Sequence, residues 1–132
     1  AVFAMEQAAF IYSIRLRVLS PGEVGYATAQ ERGFETAQLR GRHWVLKRAD
    51  GEEEHVRGDG VVGRFPLLRE GGWRECEQAG RTLAAGLAQG EECEGTFIYQ
   101  SMTGAGGMQA FGGELLMVPG SIRHPVGEEF AL

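Results

Sequence analysis

Residues 38–66 read QLRGRHWVLKRADGEEEHVRGDGVVGRFP, and this stretch decides the fold class. Trp44, Val45 and Leu46 form a short apolar run between charges, as expected of a half-buried strand. Asp50-Gly51 follows, a strong hairpin signal because a type I′ turn needs positive φ at both central residues. If these two residues are the whole loop, Leu46 faces His55 and Val45 faces Val56. That register puts Trp44, Leu46 and His55 on one face of the hairpin. The Trp44 face is the expected core face, since a tryptophan buries far more apolar area than a valine.

Gly58-Asp59-Gly60-Val61-Val62-Gly63 then spells G-x-G-x-x-G. That pattern binds a dinucleotide only where it opens a helix whose N-terminus holds the pyrophosphate. Here Arg64-Phe65-Pro66 follows, and Pro66 biases Phe65 towards extended backbone. Two readings remain. The glycines shape a bulged or tightly turned connection between strands. Alternatively, Arg57, Gly58, Gly60, Gly63 and Arg64 form an anion site from exposed backbone N–H groups and two guanidinium groups.

Gln38-Leu39, Arg42-His43-Trp44, Val56-Arg57-Gly58, Gly60-Val61-Val62-Gly63 and Pro66-Leu67 together resemble the hallmark of the ApaG domain family. Tyr12-Ser13-Ile14-Arg15-Leu16 upstream, and Phe97, Tyr99, Ser101, Gly107-Met108 and Phe130 downstream, extend the likeness over most of the chain. The family includes bacterial ApaG (CorD), linked to cobalt and magnesium resistance, and ApaG domains of F-box proteins and of a polymerase-delta-interacting protein. The resemblance implies an all-β fold, a fibronectin type III or immunoglobulin-like β-sandwich. It also implies a non-enzymatic module acting through protein contacts, an adaptor or accessory subunit of a larger assembly.

Composition agrees with one small domain over residues 1–132. Hydrophobic residues make up 43% of the chain, enough for one core, and no apolar run approaches the ~20 residues of a membrane span. Twenty-one glycines favour turns and short strands. The net charge of −5 argues against direct nucleic-acid binding. Charge is uneven: residues 40–69 hold seven Lys or Arg against five Asp or Glu, and residues 70–132 hold three against nine.

Phe10, Tyr12, Ile14, Leu16 and Val18 alternate with Ser13, Arg15 and Arg17, the pattern of a strand with one solvated face. Ser20-Pro21-Gly22 ends it, and residues 20–36 read as an inserted surface loop. A second insertion covers about 69–89. Trp73, Cys76, Leu83 and Leu87 lie three, seven and four apart, which predicts a short amphipathic helix. Trp73, Leu83 and Leu87 are the candidate partner-binding residues on it. Residues 92–101 read as a strand with Phe97 and Tyr99 on one face, 102–113 as a glycine-rich loop, and 114–118 as a strand ended by Pro119-Gly120. The resemblance implies a last strand running beyond Phe130. A short strand here would leave a sheet edge open to another chain.

Few residues suggest chemistry. No G-x-S-x-G elbow is present, and Ser101, Cys76 and Cys93 have no histidine partner evident in sequence, so no catalytic residue is expected. The cysteines show no metal-type spacing, and reduced thiols in an intracellular setting, cytoplasmic or organellar, are the default. His43, His55, His124 and Asp59 are the conceivable metal ligands. The two-residue turn places His43 and His55 on opposite faces, so no metal and no cofactor is expected. His43 would bond a loop carbonyl. Arg42, Arg57 and Arg64 would either form an anion patch or pair with Glu52, Glu53 and Glu54 across the hairpin.

Overall fold

The computed structural model describes residues 9–75, 92–104 and 107–132. More than half of them are strand: β1 (Ala9–Leu16), β2 (Ala37–Arg48), β3 (Glu53–Asp59), β4 (Leu67–Arg69), β5 (Gly72–Arg74), β6 (Glu92–Glu94), β7 (Phe97–Gly104), β8 (Met108–Pro119) and β9 (Phe130–Ala131). A single helical turn, α1 (Ala29–Arg32), interrupts them.

β1 and β7 pair antiparallel as one small sheet. The larger sheet runs β6-β5-β4-β2-β8-β9, with β3 also on β2. β2 is long enough to hold two partners along one edge, β4 at Ala37 and Gln38 and β3 from Gly41 to Lys47. Its other edge pairs with β8 throughout.

The two sheets close on an aromatic core. From β1, Tyr12 meets Trp44 of β2 edge-on at 5.9 Å and Phe111 of β8 at 5.0 Å. From β7, Phe97 meets Trp73 of β5 edge-on at 5.0 Å. Phe97, Leu39 and Val61 are wholly buried, with Leu46, Leu115 and Met117 around them. Alternation supplies these residues: Phe97 and Tyr99 face inward from β7, Trp44 and Leu46 from β2, Leu115 and Met117 from β8. The architecture is therefore the all-β sandwich expected, with the Trp44 face as its core.

The β2–β3 turn is not the expected two-residue one. Arg48 and Glu52 close the loop, and Ala49, Asp50 and Gly51 form it. The Gly51 amide donates to the Arg48 carbonyl at 3.1 Å, and Gly51 takes φ +86°. The Asp50 carboxylate accepts from the Glu52 amide at 2.9 Å. This is a type I turn with a left-handed glycine, the usual three-residue hairpin. The register moves by one residue: Trp44 pairs with Val56, Val45 with His55, and Leu46 with Glu54.

The G-x-G-x-x-G stretch launches no helix. Its last residues make the tight turn instead: Val62 (φ +45°) and Gly63 (φ +77°) sit between Val61 and Arg64, which exchange both backbone hydrogen bonds at 2.9 and 2.8 Å.

The helix expected at 69–89 is corrected over its described part. Leu68 pairs with Trp73, so Glu70-Gly71 is a hairpin turn and Trp73 lies in a strand. Helical spacing misread the Glu70-Gly71 turn; Gly71 takes φ +80°, and at Gly72 a Cβ would lie 2.4 Å from the Cys93 carbonyl oxygen. Cys76, Leu83 and Leu87 lie outside the described residues. The loop expected at 102–113 is also largely strand, from β7 to Gly104 and β8 from Met108. Gly113 explains why glycine suits that strand: a Cβ there would lie 2.7 Å from the Trp44 ring and 2.0 Å from the His43 carbonyl oxygen.

The loop of residues 20–36 is tethered rather than merely extended. Thr28 caps α1, its hydroxyl accepting from the Glu31 amide at 3.2 Å, and Gly33 ends the turn at φ +88°. The Tyr26 hydroxyl and the Arg32 guanidinium both donate to Glu70, at 2.8 and 3.0 Å. Those two donors hold the Glu70 carboxyl below its ordinary pKa. Phe34 stacks on Phe130 at 5.6 Å. At the C-terminal end, β9 pairs with Leu116 and Met117 of β8, and Leu132 exchanges backbone bonds with Leu115.

Candidate functional site

The one-residue register shift decides what the hairpin presents. On the face turned away from the core, His43, Val45 and Lys47 of β2 lie beside Arg57, His55 and Glu53 of β3. His43 and His55, expected on opposite faces, lie end to end with ring centroids 5.1 Å apart and 24° between their planes. His43 Nε2 lies 2.8 Å from His55 Nδ1, so one ring donates to the other. His43 therefore bonds His55 rather than a loop carbonyl. The far nitrogen of His55, Nε2, faces the Glu53 carboxylate at 3.5 Å, and Lys47 approaches the same carboxylate at 3.7 Å.

Below the histidines the outer face opens into a cleft of about 310 Å³, lined by Arg40, Gly41, Arg42, His43, Arg57, Gly58, Asp59 and Leu116. A bulge between Leu39 and Gly41 falls beside it. Arg42 donates to the carbonyls of Asp59 and Gly60 at 3.2 and 2.9 Å. Its guanidinium lies against Gly58, where a Cβ would come within 2.7 Å. Arg40 binds the Glu129 carboxylate, and that hydrogen bond draws the Glu129 pKa down and the Arg40 pKa up. Arg57 has neither a hydrogen bond nor an ion pair among the described residues. Lys47 and Arg48 pair with Glu53 and Glu54 instead of the arginines expected to do so.

The expected anion site is only partly assembled. Arg57 and Gly58 line the cleft. Gly60, Val61 and Arg64 have already committed their amides to the carbonyls of Arg40, Arg64 and Val61. Gly63 is at the tip of the Val62-Gly63 turn. Arg64 points inward to Glu75, which is 1% exposed, and lies over the rings of Trp73 and Phe97 at 5.2 and 4.7 Å. Of the partner-binding candidates, Trp73 is a core residue, 9% exposed. Leu83 and Leu87 lie outside the described residues.

Sequence reading missed an apolar surface. β1 and β7 turn Ile11, Ile98 and Met102 outward, at 71%, 47% and 65% exposure, and Ile11 and Met102 are paired in register. The signal was available: Ile11 falls on the same alternate positions as Ser13 and Arg15, the polar face of β1. Among the described residues no group of three or more His, Cys, Asp or Glu side chains gathers as a metal cage. No helix among them is long and apolar enough to cross a membrane.

Comparison with known proteins places these features. A family model of the ApaG domain matches residues 4–76. The F-box protein SKIP16 of Arabidopsis thaliana is 32% identical over 126 residues, which is 92% of this chain and 22% of that protein. Protein ApaG of Acidithiobacillus ferrooxidans is 39% identical over 77 residues, 58% of each chain. Protein ApaG of Xanthobacter autotrophicus is 58% identical over 40 residues, 30% of this chain and 31% of that protein. The matched regions thus span less than two thirds of the length of these curated relatives. An X-ray structure of a Northeast Structural Genomics Consortium target aligns over 96% of this chain and 79% of that one, at TM-score 0.45 and 18% identity. By the match over residues 4–76, more than half its length, the chain belongs to the ApaG domain family.

Proposed function

We propose that the chain is a non-enzymatic, ApaG-type protein-interaction module that docks a protein partner on the outer face of β1 and β7. The observation that carries this reading is the exposed apolar pair Ile11 and Met102, in register on a two-stranded sheet, with Ile98 further along the same face. Exposed apolar groups gathered on one face favour association, since covering them removes apolar area from water. A two-stranded sheet also offers outer edges to which an extended segment can add. The relation to SKIP16, in which the matching region is a fifth of a longer protein, supports a module carried beside other functions. Affinity purification with the Ile11→Glu, Met102→Glu variant tests the reading. Partners held by the wild-type chain should be lost while the melting temperature stays within a few degrees, because both side chains are exposed. Retention of those partners would refute it.

A second reading, a module for pyrophosphate or a nucleotide, draws support from the cleft beside Arg57. Arginine suits phosphate through its planar fork of donors. Millimolar pyrophosphate or ATP should raise the melting temperature of the wild-type chain and not of Arg57→Ala. An equal rise in both, or none in either, would remove this reading.

A further inference from the structure

We propose that His43 and His55 form a two-imidazole site for a first-row divalent transition ion, such as nickel or zinc, that clips β2 to β3. The ring nitrogens His43 Nε2 and His55 Nδ1 already face each other at 2.8 Å on the exposed side of the hairpin. Metal–imidazole bonds of about 2.0–2.1 Å place two neighbouring donors about 2.9–3.4 Å apart. For an ion to replace the shared proton, the nitrogens need to part by a few tenths of an ångström and each ring to turn by about 35–45°, so that both lone pairs meet at the ion.

The surroundings suit that exchange. Glu53 faces Nε2 of His55 at 3.5 Å. A carboxylate there favours the proton on Nε2 and leaves the Nδ1 lone pair for the ion, the outer-shell arrangement common behind metal-bound histidines. On the third strand of this face, Glu114 of β8 is the register partner of His43, and it too is exposed. Lys47 and Arg57 are the opposing charges, from β2 and β3. No third His, Cys, Asp or Glu completes a cage among the described residues, so water fills the remaining positions and the site is an open one. Imidazole donors select zinc, nickel or copper over magnesium, which prefers oxygen.

The test is titration of the intact chain with nickel and zinc, and with magnesium as control. It is read by thermal shift and by the side-chain nitrogen resonances of the three histidines. Zinc should shift His43 Nε2 and His55 Nδ1 and leave His124 unmoved. Nickel should broaden the same two resonances selectively. Both ions should raise the melting temperature, and magnesium should do neither. His55→Ala should abolish the rise, Glu53→Gln should weaken binding by about tenfold, and His124→Ala should change nothing. If the His43 and His55 resonances stay in place at saturating metal, the proposal fails. It fails equally if binding survives in the His43→Ala, His55→Ala double variant and vanishes when Cys76 and Cys93 are alkylated.

Discussion

Arg64→Met is expected to destabilise the fold by about 3–5 kcal/mol, the usual cost of leaving one partner of a buried ion pair uncompensated. Glu75 is 1% exposed, and Arg64 is its counter-ion. The guanidinium also lies 4.7 Å above the wholly buried Phe97 ring and 5.2 Å from the Trp73 ring, so removing it forfeits cation–π contact as well. Methionine keeps much of the volume and none of the charge. For a chain of this length the melting temperature should fall by roughly 10–20 °C. Adding Glu75→Gln should recover most of that loss, because the orphaned charge causes it. A calorimetric double-mutant cycle checks the coupling. A single-variant loss below about 1 kcal/mol, or strictly additive variants, would show that the pair does not hold this end of the sandwich.

The second large effect separates two glycines of one motif. Gly60→Ala should cost about 2–5 kcal/mol, combining left-handed strain of about 1–2 kcal/mol with displacement of packed neighbours. Gly60 takes φ +59°, and its added Cβ would lie 2.5 Å from the Arg64 carbonyl oxygen and 3.0 Å from the Phe65 ring. Gly63 takes φ +77° with nothing within 4 Å, so Gly63→Ala should cost only the strain, about 1–2 kcal/mol. Urea unfolding of both variants measures the difference. Equal losses would mean that close approach at Gly60 contributes nothing.

Much of this architecture could be read from residue order. Alternation at Tyr12, Ile14 and Leu16, and at Phe97 and Tyr99, marked β1 and β7, because burying one face of a strand imposes a period of two. Pro66 after the glycine run excluded a nucleotide-binding helix, since proline restricts the residue before it. The helix expected through Trp73 failed because same-face spacing was weighed above the Glu70-Gly71 turn. The candidate site was less legible. Arg57 and Gly58 line the cleft, while Arg64 was drawn into the core by Glu75, a residue eleven positions away with no local signal.

Local sequence by itself determined that residues 38–66 are paired β-structure, and it favoured Trp44 inward, because a tryptophan buries far more apolar area than a valine. It could not determine the register. Asp50-Gly51 suits both a two-residue and a three-residue loop, and the alternatives differ by one residue of pairing. Only the folded sheet, where Trp44 lies against Gly113 and Val56 takes the place opposite it, chose between them. That choice turned His55 from the core face to the outer one and set it 2.8 Å from His43. Side chains alternate with a period of two, so a slip of one residue exchanges the faces, and long-range packing rather than the turn decides which face meets solvent.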